Sequence, residues 1–453
     1  MHTRRAAISI LNSVDEGSAF SSKLLARYST NQRVVFPLLQ KMVKGTLSWK
    51  ERIDETLRGA MSARDVGGLR SDWNILRVAA YQFLYLEEVP IALVLKESCA
   101  LASSKGNNLL MRTVLHRVLE QRGVPEDKPQ AAGSHPAWVL AEWEEAFGKA
   151  ETEKLCQANN VRWPVSIRTN TLRTTPHQLE KFLRRDRVVV HRSAVAKDCF
   201  VVDSLPKDVR LHELLSFEKG LFQVQDESAA LVGILLGPQE GESIIDLCAA
   251  PGGKTTHLAA LMKNTGKVLA VDLHDSALQK LKENCRKLGV KNVRTIQTDG
   301  ASLKVPFKAD AVLVDAPCSG LGVLGRKVDI RWSKSKEQIP ELAELQLRLL
   351  SHAATLLKPG GRLVYSTCTL HRSENQLVVK AFLNAHPEFE LVHAREAGLG
   401  ELATKEGYLL TLPHRHKMGG GFAALLRHRS APRVTKQGPE AGTGLIPGNL
   451  SKI

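Results

Sequence analysis

The alternation of short apolar runs with longer helical segments over residues 222–392 constrains the fold of this chain most strongly. Short apolar runs bounded by polar residues are typical of buried strands, and apolar residues spaced three and four apart are typical of helices. We predict strands at residues 243–247, 268–271, 293–297, 311–314 and 363–365, and helices at 255–262, 277–288, 342–357 and 374–384. This alternation predicts a doubly wound, mostly parallel α/β sheet, to which residues 421–426 add a final edge strand.

The remaining segments predict further domains. Residues 1–121 carry apolar side chains at helical spacing without strand-like alternation, which indicates a small all-helical domain. Residues 122–129 contain two prolines and no apolar period, so we expect a linker. Mixed short elements with strands at 165–168, 188–191 and 200–202 indicate a small α+β connecting domain. The predicted division is 1–125, 134–222 and 223–429, followed by a basic tail over 430–453 that we expect to be disordered.

Charge and cysteine content limit the function classes. The formal net charge is +16 and the pI is about 9.6, which favours a polyanionic partner such as RNA, although a solvated basic surface is an alternative. Seven cysteines without paired CxxC spacing exclude a disulfide scaffold and a structural zinc site. No signal peptide or membrane span is recognisable. We therefore expect a cytoplasmic protein with no metal and no membrane partner.

The turn after the first predicted strand of the α/β domain suits a cofactor. Small residues there let the backbone approach a ligand beneath the N-terminus of the next helix. The predicted cofactor-binding residues of this turn are Cys248, Ala249, Ala250, Pro251, Gly252, Gly253 and Lys254. Their glycine pattern is neither the dinucleotide fingerprint nor a P-loop, so NAD and nucleoside triphosphates are disfavoured. For Lys254, three roles stay open: a cap, a bridge to a carboxylate, or a contact with the target nucleotide.

Acidic residues end three successive strands. Asp272 can accept hydrogen bonds from the ribose hydroxyls of a nucleoside, Asp299 follows the third strand, and Asp315 ends the fourth. A single Asp at such a position is usually a helix cap, but three in register favour a nucleoside cofactor. S-adenosylmethionine fits, because it has a nucleoside and a sulfonium but no phosphates.

Two cysteine motifs follow apolar strands of the same sheet. They are Asp315-Ala316-Pro317-Cys318-Ser319-Gly320 and Ser366-Thr367-Cys368-Thr369. Two thiols at one rim suit a transient covalent attack on a pyrimidine, since a thiolate on carbon 6 makes carbon 5 able to accept a methyl group. Asp315 can stabilise charge at N3, and the second thiol can take the carbon 5 proton. Spacing alone does not decide which cysteine attacks.

These motifs resemble the RNA (cytosine-5)-methyltransferase family. The match rests on residues 248–254, the Asp315-Pro317-Cys318 motif and the Thr367-Cys368 motif, and the chain as a whole is similar to the bacterial Sun/Fmu branch of 16S rRNA cytosine methyltransferases. The helical N-terminus resembles the NusB fold, notably at residues 43–47 and 74–85.

The resemblance implies a class I, Rossmann-like methyltransferase domain that binds S-adenosylmethionine, with an RNA-binding NusB-like domain in front of it. It implies Cys368 as the nucleophile, Cys318 as the group that aids product release, and cofactor contacts at residues 248–254, Asp272, Asp299 and Asp315. The implied product is 5-methylcytosine in small-subunit rRNA, of the cytosine 967 type, made before or during ribosome assembly by a monomer. The alternatives are a cytosine-5 methyltransferase for tRNA or another rRNA site, and a non-catalytic RNA-binding assembly factor.

Residues outside these motifs receive simpler interpretations. Arg326, Lys327, Arg331, Trp332 and Lys334 are predicted to form a substrate-facing loop, with a solvated loop around one packed Trp as the alternative. A further set of cysteines is predicted to be inert and packed: Cys99, Cys156, Cys199 and Cys285.

Overall fold

The fold is described for residues 1–17, 20–120, 134–161, 163–207 and 209–429 of a computed structural model. The predicted linker at 122–129 and the tail at 430–453 lie outside the described residues. The N-terminal part is helical because apolar side chains at helical spacing meet in shared cores, in which Leu39, Met42 and Val43 are fully buried. Its helices are α1 (His2–Asp15), α2 (Ser21–Ala26), α3 (Phe36–Ser48), α4 (Lys50–Gly59), α5 (Ala63–Gly68), α6 (Trp73–Tyr85), α7 (Ile91–Cys99) and α8 (Lys105–Glu120).

The connecting part combines helices with a small antiparallel sheet in the order β2-β3-β1-β4. Its elements are α9 (Ala137–Phe147), α10 (Lys149–Asn160), β1 (Val165–Thr169), α11 (Pro176–Arg185), β2 (Val189–Arg192), β3 (Cys199–Ser204), α12 (Leu215–Glu218) and β4 (Phe222–Val224). The three predicted strands are confirmed. Strand β4 was not predicted, because three residues are too few to show an apolar period.

The C-terminal part contains the alternating elements. They are α13 (Glu227–Leu236), β5 (Ser243–Leu247), α14 (Gly253–Leu261), β6 (Lys267–Asp272), α15 (Asp275–Leu288), β7 (Val293–Gln297), β8 (Ala309–Asp315), α16 (Ile330–Ser333), α17 (Gln338–Thr355), β9 (Leu357–Thr367), α18 (Gln376–Ala385), β10 (Phe389–Val392), β11 (Leu409–Thr411), α19 (Pro413–His416) and β12 (Gly421–His428). The sheet order is β10-β12-β9-β8-β5-β6-β7, with β11 paired to β12. Strands β9, β8, β5, β6 and β7 are parallel, which confirms the predicted doubly wound sheet.

The prediction of a final edge strand at residues 421–426 is wrong in its position. Strand β12 lies between β9 and β10 and runs antiparallel to both. Its side chains are buried on both faces of the sheet, with Phe422 and Leu426 in one core and Ala423 and Leu425 in the other. Burial on both faces is the property of an inner strand, so β10 takes the edge.

None of the helices within the described residues has both the length and the apolar composition needed to cross a membrane.

Candidate active site

The carboxyl ends of the parallel strands bring the predicted residues to one rim. Asp315 ends β8, Cys248 follows β5, Asp272 ends β6 and Asp299 lies two residues beyond β7. Strand β9 pairs with β8 so that Ser366 stands opposite Asp315, which places Cys368 at the same rim. Ligands of open α/β sheets bind at this edge, so the rim is the candidate active site.

The turn from Cys248 to Lys254 has the close-packed backbone that its small residues predict. Gly252 adopts a φ of 98°, and a Cβ there would lie 2.6 Å from Leu281 Cγ, so only glycine fits. Asp272 fixes the turn, because its carboxylate accepts hydrogen bonds from the N–H groups of Ala250 and His274, each at 3.0 Å. The structure therefore places Asp272 directly against the predicted cofactor turn.

The other predicted cofactor residues differ in their surroundings. The Asp299 carboxylate accepts a hydrogen bond from Ala301 N at 2.9 Å and so caps the short helical turn Gly300–Ser302. Cys248 packs beneath the turn, where burial and neighbouring carboxylates raise the pKa of its thiol to about 12. The Cys248 thiol thus stays neutral at ordinary pH and lacks the thiolate that nucleophilic attack requires.

Lys254 and Asp315 form an ion pair inside the site. Lys254 Nζ donates to Asp315 Oδ2 at 2.8 Å, and Ser366 Oγ donates to Asp315 Oδ1 at 2.8 Å. Burial alone would lower the pKa of Lys254, but the Asp315 carboxylate raises it, so the lysine is charged. Of the three roles left open for Lys254, the structure shows the bridge to a carboxylate.

The two predicted catalytic thiols are in contact. Cys318 Sγ lies 3.3 Å from Cys368 Sγ, and Cys368 N donates to Cys318 Sγ at 3.3 Å. A hydrogen bond from Cys318 lowers the pKa of Cys368, with help from the cations Lys327 and Lys254 and against burial and the charge of Asp315. The same contact, burial and nearby negative charge raise the pKa of Cys318. Both pKa shifts favour a thiolate at Cys368 over one at Cys318.

Asp246, the penultimate residue of β5, was missed as a site residue. It is fully buried and accepts a hydrogen bond from Thr255 Oγ1 at 2.7 Å, while its Oδ1 has no hydrogen-bond partner among the described residues. The signal was an acidic residue within the otherwise apolar run of residues 244–247. A buried acceptor without a partner is costly unless a ligand completes it.

Asp246 gives a pH-dependent prediction. Burial raises the pKa of its carboxyl from 3.8 to about 7, although the Thr255 hydrogen bond opposes the shift. Between those values the folded protein holds a proton that the unfolded chain releases, so stability falls as pH rises through this window. Asp246→Asn should remove that fall and be more stable than the wild type above pH 7, by at most about 4 kcal/mol. Urea denaturation at about pH 5 and about pH 8 measures the difference.

Asp310→Asn is the control of opposite sign. Burial would raise the pKa of Asp310, but hydrogen bonds from Lys358 and the Ser243 backbone N–H lower it. Replacing the Asp310 carboxylate by an amide should therefore destabilise the protein at the higher pH. Equal pH dependence of stability in the wild type and Asp246→Asn would contradict the prediction.

The predicted substrate-facing loop is wrong for its central residues. The Arg331 guanidinium is 1% exposed and donates to Ser48 O, Ser134 O, Asn159 O and Asn160 Oδ1 at 2.7–3.1 Å. Trp332 Nε1 donates to Leu47 O at 2.8 Å, and Asp329 accepts from Ser21 N at 2.8 Å. These polar groups are paired across the domain boundaries, so the loop joins the helical and connecting parts to the carboxyl end of the sheet rather than facing a substrate. Of the loop's residues, Lys327 stays exposed beside the thiols.

The remaining cysteines behave as predicted. Cys99, Cys156, Cys199 and Cys285 are all buried. Burial raises the pKa of Cys156 and Cys199 to about 12, so both remain neutral thiols that pack in cores.

Comparison with known families matches each part of the chain in turn. The family described as 16S rRNA methyltransferase RsmB/F matches residues 233–427. The RsmF/B-like ferredoxin-like domain matches residues 135–209, and the NusB family matches residues 1–111. These matches confirm the predicted fold class of a NusB-like helical domain, a small α+β domain and a methyltransferase domain.

Relatives match over nearly the whole chain. A probable ribosomal RNA small subunit methyltransferase B of Bacillus subtilis (strain 168) is 32% identical over 447 residues, which covers 94% of this chain and 98% of the relative. The ribosomal RNA small subunit methyltransferase B of Vibrio cholerae is 32% identical over 440 residues, covering 94% and 97%.

Solved structures agree with this match. The crystal structure of PH0851 superposes with a TM-score of 0.75 at 28% identity, covering 93% of this chain and 98% of that one. NSun6 from Pyrococcus horikoshii, solved with SFG, gives a TM-score of 0.58 at 25% identity, covering 65% and 99%. The family resemblance of the sequence motifs is thereby confirmed, and the chain belongs to the 16S rRNA methyltransferase RsmB/F family.

Proposed function

We propose that this protein methylates carbon 5 of a cytosine in small-subunit rRNA, using S-adenosylmethionine and a transient bond between Cys368 and carbon 6 of the ring. The observation that carries the proposal is the contact of two thiols at 3.3 Å beside the Lys254–Asp315 ion pair. The target we propose is of the cytosine 967 type, since the relatives named methyltransferase B match almost end to end. The predicted domain division, with RNA bound by residues 1–125, is part of this proposal.

The residues at the rim fit the proposed cofactor. The turn of small residues leads directly into the N-terminus of α14, where backbone N–H groups can meet a ligand, and the unpaired Oδ1 of Asp246 can accept from an ammonium group. Residues 248–254 with Asp272 and Asp299 would hold the nucleoside and amino-acid portions. When bound, S-adenosylmethionine supplies an electrophilic methyl group. The relative NSun6 was solved with SFG, which supports a ligand of this type.

Cys368 is the nucleophile of the proposed reaction. Its lowered pKa supplies the thiolate, and the cations Lys254 and Lys327 favour that charge. The Cys368 sulfur forms a bond to carbon 6, which makes carbon 5 electron-rich. After methylation Cys318 gives the proton it holds to water and takes the carbon 5 proton in its place, or relays it. The electron pair left on carbon 5 re-forms the double bond to carbon 6, and the bond between carbon 6 and sulfur breaks with its electron pair on Cys368.

The ion pair of Lys254 and Asp315 suits the Watson–Crick edge of cytosine. The Lys254 ammonium is a donor for N3, and the Asp315 carboxylate is an acceptor for the exocyclic amino group. Uracil presents a donor at position 3 and an acceptor at position 4, which reverses both requirements. The pair thus favours cytosine over uracil, and its positive end stabilises charge that develops in the ring.

Asp272→Ala is expected to weaken S-adenosylmethionine binding by about tenfold to a hundredfold, because one carboxylate both fixes the turn and meets the ribose. Isothermal titration calorimetry measures the loss. Asp275→Ala, at the first position of α15, is a matched control that removes an acidic residue from the same segment. Unchanged affinity in Asp272→Ala would exclude it as a cofactor ligand.

The function itself is tested by transfer of a labelled methyl group to purified rRNA and tRNA, followed by bisulfite mapping. The proposal predicts one protected cytosine in small-subunit rRNA. Label in tRNA or at another rRNA site would support the first alternative. No transfer to any RNA, with no cofactor bound in calorimetry, would support a non-catalytic assembly factor.

A further inference from the structure

A buried carboxylate that the reaction does not use lies directly beneath the Cys318 turn. Glu374 is fully buried at the end of the short helical turn Arg372–Glu374, six residues after Cys368. Its Oε1 accepts hydrogen bonds from Ser319 N at 2.8 Å and Gln346 Nε2 at 3.0 Å, and its Oε2 accepts from Ser319 Oγ. In all three hydrogen bonds the Glu374 side chain is the acceptor, as an ionised carboxylate must be.

The network around Glu374 holds the chain on both sides of Cys318. Gln346 Nε2 also donates to Pro317 O at 2.9 Å, so Pro317 and Ser319 are both fixed through one buried pair. Ser319 Oγ lies 2.7 Å from Thr369 Oγ1, which connects this network to the residue after Cys368. Tyr365 completes it, because its hydroxyl lies 2.5 Å from the backbone carbonyl oxygen of Glu374 and 3.1 Å from Gln346 Oε1. A shift at Glu374 would therefore be felt in both thiol segments.

The charges around the two thiols are arranged asymmetrically. Cys318 interacts with the charges of Glu374 and Cys368, so negative charge lies on its side. Cys368 faces the cations Lys254 and Lys327 as well as Asp315 and Cys318. A negative charge disfavours a thiolate nearby and a positive charge favours one.

We propose that Glu374 is a positioning residue that decides which thiol attacks: it holds the Pro317–Ser319 turn in place and, through its fixed negative charge, keeps the shared proton on Cys318 and the thiolate on Cys368. This inference rests on the proposed covalent mechanism, to which it adds the origin of the division of roles between two adjacent cysteines. Glu374 touches neither thiol in a hydrogen bond of its own, so its effect passes through the turn and through its charge.

The test is selective alkylation of the full-length protein with iodoacetamide, without RNA or cofactor, from about pH 6 to about pH 9.5. Peptide mass spectrometry gives the ratio of labelling at Cys368 to labelling at Cys318. In the wild type we expect Cys368 to react at least about tenfold faster than Cys318. Glu374→Gln keeps the size and an acceptor oxygen but removes the charge, and it should reduce this ratio at least about fivefold and move the Cys368 midpoint to higher pH.

Two further variants separate charge from structure. Ser319→Ala removes one hydrogen bond to Glu374 but keeps its charge, so the labelling ratio should stay within about twofold of the wild type. Lys327→Met removes a charge from the other side of the pair at an exposed position, where folding is not at risk, and should reduce the ratio. An unchanged ratio in folded Glu374→Gln, or in Lys327→Met if Glu374→Gln does not fold, would overturn the proposal, as would equal changes in Ser319→Ala and Glu374→Gln. Because alkylation needs no RNA, a failure of wild-type methyl transfer would count against the proposed function alone.

Discussion

Cys318→Ala is expected to leave the protein covalently joined to its RNA, whereas Cys368→Ala gives neither an adduct nor methyl transfer. The two thiols lie 3.3 Å apart, so either can reach the same ring, but the lowered pKa of Cys368 favours that thiol as the nucleophile. Without Cys318 the first methyl transfer still occurs, and removal of the carbon 5 proton stalls. Loss of a positioned proton acceptor typically lowers turnover by about 10²–10⁴-fold. The adduct then breaks down slowly enough to accumulate.

Denaturing gels with end-labelled rRNA measure the adduct directly. The double variant Cys318→Ala/Cys368→Ala should give no adduct, since no thiol remains to attack. Cys99→Ala, in α7 of the helical domain, is the matched control and should turn over like the wild type. An adduct in Cys368→Ala with none in Cys318→Ala would exchange the two roles.

Arg331→Met is expected to lower the free energy of unfolding by about 3 kcal/mol or more. The Arg331 guanidinium supplies hydrogen bonds to backbone carbonyls of both other domains, at Ser48, Ser134 and Asn159. Methionine keeps the apolar stem but leaves these buried acceptors unpaired. Burial lowers the pKa of Arg331 to about 9, because the charged guanidinium loses its contact with water.

Urea denaturation followed by tryptophan fluorescence measures this loss. Arg184→Met is the matched control, because Arg184 is 80% exposed and meets Glu180 at 3.5 Å on the surface of α11. Such exposed pairs contribute about 0–1 kcal/mol. If Arg331→Met unfolds at the same urea concentration as the control variant, the loop does not join the three domains as described.

The parallel core of the sheet could be predicted because its strands are continuous apolar runs. Strands β5 and β7 have the predicted bounds, and the carboxyl ends of β6, β7, β8 and β9 carry the three acidic residues and two cysteines that were expected at this rim. What could not be predicted was pairing between distant segments. Strand β12 is inserted next to β9 by burial on both of its faces, which a short apolar run does not reveal.

Buried polar groups account for the other differences between prediction and structure. Arg331 is a charged residue in a polar stretch of sequence, which is typical of an exposed loop. In the structure, however, backbone carbonyls from the two other domains surround it. Glu374 was not singled out, because it lies in a polar stretch of sequence that gives no sign of burial. Asp246 was not singled out either, although the apolar run around it was a sign of burial. Their roles depend on partners 9 and 55 residues away, at Thr255 and Ser319, that only the fold brings together.

The central claim is that the sulfur of Cys368 bonds to the pyrimidine. It is tested most directly with rRNA that carries 5-fluorocytosine at the target, incubated with the wild-type protein and S-adenosylmethionine. Fluorine replaces the proton that must leave carbon 5, so the covalent complex persists and its peptide can be sequenced by tandem mass spectrometry. We predict that the nucleotide is attached to the peptide containing Cys368. Attachment to Cys318, or methylation with no covalent complex at all, would contradict the mechanism.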